Sequence, residues 1–568
     1  MVNDVLIYIG FFAILFLLAW PLGAFMAKVF SEKRTILDPI MGPIEKMIYR
    51  LTGVDASQEM NWKQYAWALV LFNILGMAVV FGIQLVQHIL PLNPENLGSV
   101  APDLAFNTAV SFMTNTNWQA YAGETTMSYF TQMTALTVQN FLSAATGLAA
   151  ALVLIRGLTR KTTQHIGNFW VDLVRGVLWV LLPLSIVYAL VLVQQGVIQN
   201  LLPYQIVTTL DGVQQKIAMG PVASQEAIKM LGVNGGGFFN ANSAHPFENP
   251  TPLTNFMQIV SIFLVPVALV FMYGQMARDR RQGYVILAAM MLMFVLHLGV
   301  LYMSEAYGNP LVKALGVTEP TAMEGKEVRF GIGGSALFAT ATTAASCGAV
   351  NTMHDSLTPL GGLIPLLQMM LGEVVIGGVG AGFYGMMMYI VLTVFIVGLM
   401  VGRTPEYLGK KIEAWEMKMA TLAVVVIPAA ALLLFSAVAV VREAGTASTA
   451  NPAAHGLSEI LYAYASGVGN NGSAFAGLSA NTWFYNITLA LAMLIGRFGV
   501  IIPVLAVAGS LAEKKIIPAG PGTFQTTSML FVLLLVGIVW MIGALTFFPA
   551  LALGPIVEHL QMLQGKVF

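Results

Sequence analysis

The stretch Asn234-Gly235-Gly236-Gly237 lies between two long apolar runs, and three comparable stretches recur along the chain: Asn115-Thr116-Asn117, Ser346-Cys347-Gly348 and Asn470-Asn471-Gly472. Counted from Thr116 through Gly235 and Gly348 to Gly472, the steps are 119, 113 and 124 residues. That period is too regular for loops scattered at random, and it marks four copies of one structural unit. Each stretch reads as a tight turn, because glycine and asparagine tolerate left-handed backbone.

Outward from these turns the chain is oily. It is 57% hydrophobic and 10% charged, with 27 basic and 27 acidic residues, the composition of an integral membrane protein surrounded by lipid. A net charge of zero leaves no basic surplus for phosphates, which excludes nucleic acid as a partner. The single cysteine, Cys347, excludes an internal disulfide and a multi-cysteine metal site. Ten runs have the length that crosses a hydrocarbon core, near residues 5–30, 65–90, 127–155, 173–197, 256–276, 284–303, 364–400, 419–441, 484–508 and 528–551. The first carries Asp4 where a leader peptide would be basic, so it reads as a retained anchor helix.

Each turn follows a shorter helix-like segment, at 103–113, 224–231, 335–345 and 457–465, too short to span and expected to enter the membrane and turn back. The expected fold is an all-α polytopic membrane protein. Its ten or so transmembrane helices form four pseudo-symmetric helix/pore-helix/helix repeats around a central pore, plus one extra helix at each end. The repeats fall at 63–160, 161–282, 283–408 and 409–515, flanked by 1–62 and 516–568. Nineteen of the 27 basic residues fall on one side of the spans. By the positive-inside rule that side is cytoplasmic, so both termini and all four loops are expected to face the outside.

A half-helix ending in mid-membrane aims its carbonyls and the negative end of its dipole at the turn, which favours a cation. No carboxylate lies in the turns, so the ligands are neutral oxygens suited to an alkali ion, with K+ the natural candidate. The expected filter is Thr114, Asn115 and Thr116; Val233, Asn234 and Gly235; Ser346, Cys347 and Gly348; and Asn470, Asn471 and Gly472. Thr116 breaks the glycine pattern of the other three, and Gln119 is expected to line the outer vestibule. Close packing of helices through small residues is the competing use of the glycines.

The segments from Thr114 to Gln119, from Asn234 to Pro250 (NGGGFFNANSAHPFENP) and from Asn470 to Leu478 closely resemble the potassium-binding A subunit of bacterial Kdp potassium-transporting ATPases, and the resemblance runs over nearly the whole chain. It implies K+ as the transported ion, a place in the bacterial cytoplasmic membrane, and a four-repeat fold shared with a wider potassium-transporter superfamily. It also implies partners: a catalytic P-type B subunit, a single-span C subunit and a small F peptide, with K+ entering here and passing on to the B subunit. The chain has neither the Asp-Lys-Thr-Gly-Thr segment of a P-type ATPase nor a Gly-Lys-Ser/Thr phosphate loop, so hydrolysis is expected of the partner and no ATP site here. The alternative is a passive or secondary K+ channel or transporter gated by a cytoplasmic regulator.

The seventh run is too long for one straight span and carries Gly372, Glu373, Gly377, Gly378, Gly380 and Gly382 near its middle. Glycine costs about 1 kcal/mol against alanine in a helix, so an interruption is expected there, read as a gate loop beneath the filter. Glu373 and Arg497 are the ionisable residues expected deepest in the spans, possible partners of one another. Arg497 would set a positive barrier below the filter, and Glu373 would help direct the ion sideways. His245, Glu248, His354 and Asp355 fit no zinc spacing and read as loop caps or interfacial hydrogen bonders.

Overall fold

Apolar runs of this length can satisfy their backbone in hydrocarbon only as helices or closed barrels, and here they are helices. The computed structural model describes residues 2–317, 321–518, 520 and 523–566. Among these, ten helices are long and apolar enough to cross a membrane: Asn3–Phe30, Trp62–Ile89, Thr131–Thr159, Phe169–Gln194, Pro252–Met276, Arg280–Ala314, Ala381–Val401, Ala414–Val441, Trp483–Glu513 and Met529–Leu563.

Burial sorts them into two rings. In the third, fifth, seventh and ninth spans, 89, 78, 72 and 61% of the most apolar window is buried, against 22, 44, 50 and 28% in the second, fourth, sixth and eighth. Every span that follows a turn is thus an inner helix, and every span that precedes one faces outward. That alternation is what fourfold repetition around an axis produces. The first span stands outside this scheme and lies along the fifth. Gly23 makes that crossing close, since a Cβ there would meet Ala268 O and lie 2.8 Å from Phe271 Cβ.

Four half-helices stand between outer and inner spans, at Pro102–Met113, Val222–Leu231, Gly331–Ala344 and Ala453–Gly469. The fourth is longer at both ends than the sequence suggested. The long seventh run is divided as expected into a short helix, Pro359–Met370, a non-helical stretch at 371–380, and the inner span Ala381–Val401. Within the break Gly372, Glu373, Gly377 and Gly380 are left-handed, with φ of 80°, 52°, 70° and 88°. A side chain at Gly380 would collide with Gly147 O of the third span. Close approach of backbone to backbone is therefore one reason for the glycines.

Among the described residues there are also two hairpins, Gln205–Thr208 with Gln214–Ile217 and Glu406–Tyr407 with Lys410–Lys411. The second carries Lys410, fully buried, whose ammonium donates to Gly157 O (2.7 Å), Leu511 O (2.6 Å) and Arg160 O. One lysine thereby caps the C-terminal ends of the third and ninth spans, where the helix dipole favours a cation.

Candidate ion-binding site

All four half-helices end in the same hydrogen bond. The amides of Thr116, Asn234, Cys347 and Asn471 donate back to the carbonyls of Ser111, Lys229, Thr342 and Ser466 at 2.9, 2.9, 3.0 and 2.9 Å. The residue before each amide, Asn115, Val233, Ser346 or Asn470, is left-handed, with φ of 65°, 49°, 54° and 58°. This is the Schellman closure of a helix C-terminus. None of the four left-handed residues is glycine, and for β-branched Val233 the conformation is strained, as backbone at functional sites often is.

This common bond corrects the register read from the sequence. Thr116 is the counterpart of Asn234, Cys347 and Asn471, and Asn117 holds the place of Gly235, Gly348 and Gly472. Aligned on that bond, the steps are 118, 113 and 124 residues. The first repeat therefore departs from the glycine pattern at Asn117, whose φ is 56°. Gly235 and Gly472, at 115° and 100°, adopt backbone that L-residues avoid. Gly348 does not take positive φ; a Cβ there would lie 2.7 Å from Asn471 O and 2.8 Å from Gly472 Cα, so proximity excludes a side chain.

Contacts between loops close into a ring. Asn115 Nδ2 donates to Val233 O (3.0 Å), and Asn234 Nδ2 to Asn115 Oδ1 (2.5 Å), joining the first loop to the second. Gly348 N donates to Asn234 O at 3.2 Å, and a Cβ on Gly235 would overlap Gly348 Cα, joining the second to the third. Asn471 Nδ2 reaches Thr342 O at 3.2 Å, joining the fourth to the third half-helix. Asn470 Nδ2 donates to Thr116 Oγ1 at 3.0 Å, and a Cβ on Gly472 would collide with Thr116 O, joining the fourth to the first. Eleven of the twelve expected filter residues thus share one register on this ring of backbone, whereas Thr114 falls one place before it and Asn117 takes its position. Of their carbonyls, Val233 O, Asn234 O and Cys347 O already accept from protein donors, the last from Thr342 Oγ1. Each has a second lone pair. Thr114 sits at the helix end, its hydroxyl donating to Val110 O at 2.9 Å.

Several supports went unread in the sequence. Asn140 and Ser143 of the third span hold the first two loops: Asn117 Nδ2 donates to Asn140 Oδ1 (2.6 Å), Ser143 Oγ to Asn115 Oδ1 (2.7 Å) and Asn234 Nδ2 to Asn140 O (3.2 Å). Polar residues three apart on a buried helix face were the available signal. Gln119 staples the same two loops further along: its Oε1 accepts from Gly237 N (2.9 Å), and its Nε2 donates to Gly237 O (3.1 Å) and Tyr121 OH (3.1 Å). It is half-buried in this seam.

Next to the turns is a cavity of about 60 Å3, room for a few water molecules. Its lining joins Asn115, Ser346 and Asn470 of the loops to Gly378 and Val379 of the break and to Arg497. Arg497 and Glu373 do not pair. Arg497 Nη2 instead donates to Ser143 O at 2.8 Å, and its Nε has no partner. Glu373 is fully buried beside the side chains of Ser346 and Asn471 and the backbone of Gly469, and no basic side chain pairs with it among the described residues. The reason is connectivity: the break carries Glu373 toward the third and fourth loops, whereas Arg497 reaches across to the third span.

His245 stacks on Phe239 with ring centroids 3.9 Å apart, and His354 Nδ1 bonds Tyr462 OH at 2.6 Å. Glu248 caps the second loop, its Oε1 accepting from Phe239 N at 2.7 Å. It is fully buried and ion-paired to Lys229 at 2.8 Å. Asp355 meets His455 at 3.0 Å, and His455 meets Glu558 at 2.7 Å. With Glu459 nearby, this makes a His/carboxylate cluster that sequence spacing did not bring together.

The family model described as the potassium-transporting ATPase A subunit matches residues 9–560. A protein of Methylorubrum extorquens, named potassium-transporting ATPase potassium-binding subunit, is 60% identical over 98% of this chain and 97% of its own. One of the same name from Mesorhizobium japonicum is 59% identical over 100 and 99%. The crystal structure of the potassium transporter TrkH from Vibrio parahaemolyticus superposes with a TM-score of 0.53 at 13% identity, covering 78% of this chain and 85% of that one. At that identity the likeness concerns the fold alone.

Proposed function

We propose how this chain works from one premise: it belongs to the family of potassium-transporting ATPase A subunits. It is the potassium-binding subunit of an ATP-driven K+ importer, without hydrolytic chemistry of its own, and the ring of four loops is its filter. One observation carries this reading. Four half-helices present their C-terminal ends to a closed ring of backbone whose turns contain no carboxylate. Such a ring offers neutral oxygens in place of a hydration shell, which suits a dehydrated monovalent cation.

The loops open to the outside of the cytoplasmic membrane, on the side opposite most of the basic residues. K+ enters past Gln119, is held by the residues at 115–117, 233–235, 346–348 and 470–472, and drops into the cavity lined by Arg497. A guanidinium without a carboxylate partner there repels a cation leaving straight through. The buried carboxyl group of Glu373, with no basic partner among the described residues and with Gly377, Gly378 and Gly380 in the same break, draws the ion toward the break in the seventh span. From there the ion passes sideways to a catalytic P-type subunit, and a C subunit and a small F peptide complete the complex.

The test reconstitutes the complex in vesicles. K+-stimulated ATP hydrolysis is expected only when this chain and the P-type subunit are assembled together, and Arg497→Met is expected to add an ATP-independent K+ leak. ATP-independent K+ flux through the unaltered chain alone would overturn the pump reading in favour of a channel. A tight Arg497→Met complex would remove the barrier role.

A further inference from the structure

The common hydrogen bond at the end of each half-helix also aligns the residues behind the filter. Ser111, Lys229, Thr342 and Ser466 occupy one position in the four repeats. Three are small hydroxyls that tie their own loop to the helix: Ser111 Oγ donates to Trp118 O (2.9 Å), Thr342 Oγ1 to Ala349 O (2.6 Å), and Ser466 Oγ accepts from Gly472 N (2.9 Å). A neutral side chain therefore suffices to hold such a loop.

The second repeat has a lysine there, 1% exposed, with Glu226 and Glu248 at 1 and 0%. Its ammonium bonds Glu226 Oε2 at 2.6 Å, Glu248 Oε2 at 2.8 Å and Asn242 Oδ1 at 3.1 Å. Burying three charges costs several kcal/mol per ion before pairing recovers it, more than tying down a loop requires. The formal charges also fail to cancel: burial and the neighbouring Glu248 push the Glu226 carboxyl up to about 8, so a proton or a cation has to offset the second carboxylate. Two carboxylates face one ammonium, and among the described residues no other basic side chain pairs with either. The cluster is wired to the filter as well. Glu248 Oε1 accepts from Phe239 N (2.7 Å), and Asn242 Oδ1 accepts from Val350 N (3.3 Å), so it grips the outgoing strands of the second and third loops.

We infer that Glu226, Lys229 and Glu248 form a positioning clamp behind the second loop whose excess carboxylate is balanced by the bound cation, so that its net charge sets K+ affinity. The inference rests on the ring being a K+ filter. It assigns these three residues to ion affinity although none of them lines the filter.

The experiment measures K+ binding by calorimetry, and K+-stimulated ATP hydrolysis, on the assembled complex. Glu226→Gln keeps the shape and removes one negative charge; the half-saturating K+ concentration is expected to rise roughly tenfold, moving more than the maximal rate. Glu226→Gln combined with Lys229→Gln restores the original sum of charges and keeps donors for Glu248, and it is expected to recover most of the lost affinity. A merely structural clamp predicts the opposite order, with the double variant worse than the single. Unchanged affinity in Glu226→Gln, a double variant weaker than the single, or failure of the isosteric single variant to assemble would each overturn the inference. Absence of K+ binding by the unaltered complex would instead overturn the filter reading on which it rests.

Discussion

The first and second loops end on the same hydrogen bond and touch each other, yet they are built from different materials. Where the first has Asn117 in the left-handed region at φ 56°, the second has Gly235 at 115°. Asparagine reaches the former at little cost, whereas only glycine reaches the latter. Behind the first loop stands the hydroxyl of Ser111, and behind the second the buried ammonium of Lys229 with its two carboxylates. Pseudo-symmetry here preserves the backbone path and leaves side-chain chemistry free to diverge, so the quarters of the ring need not contribute equally.

Exchanging the two materials tests that comparison most severely. Gly235→Asn puts a side chain onto the Gly348 backbone and forces an L-residue into forbidden φ, a combined strain of about 3 kcal/mol. K+ affinity of the complex should fall about a hundredfold, and discrimination of K+ from Rb+ should be lost in competition assays. Preserved discrimination would show that the second loop is not part of the filter.

Gln119→Arg attacks the seam between the two loops. It removes two bonds to Gly237, worth about 1 kcal/mol each, and adds positive charge near the ion's entrance. The concentration of K+ for half-maximal ATP hydrolysis should rise on the order of tenfold and vary with ionic strength. An unchanged value would place Gln119 away from the entry path.

The converse exchange, Asn117→Gly, should be mild. The backbone path survives, and only the 2.6 Å bond to Asn140 is lost, so K+ affinity should stay within about threefold while thermal stability drops by about 1 kcal/mol. A loss as large as that of Gly235→Asn would mean that side-chain packing, not backbone geometry, governs the ring.

Read from the sequence alone, the spans, the half-helices, the interruption in the seventh run and the fourfold period were all accessible, because hydropathy and glycine placement act within a short stretch of chain. The positions of the four turns were legible for the same reason. The register of the first repeat was not: Thr116 and Asn117 are equally plausible partners for a glycine until the bond from Thr116 N to Ser111 O decides between them. Nor were the destinations of the charges. Glu373 and Arg497 looked like a pair, and nothing in the sequence marked Lys229 or Lys410 as buried. Packing separated the first two and buried the others, Lys229 among carboxylates and Lys410 among the carbonyls of two other spans. A buried charge takes whatever partner the assembled helices bring within about 3 Å, and in this protein that partner comes from up to hundreds of residues away.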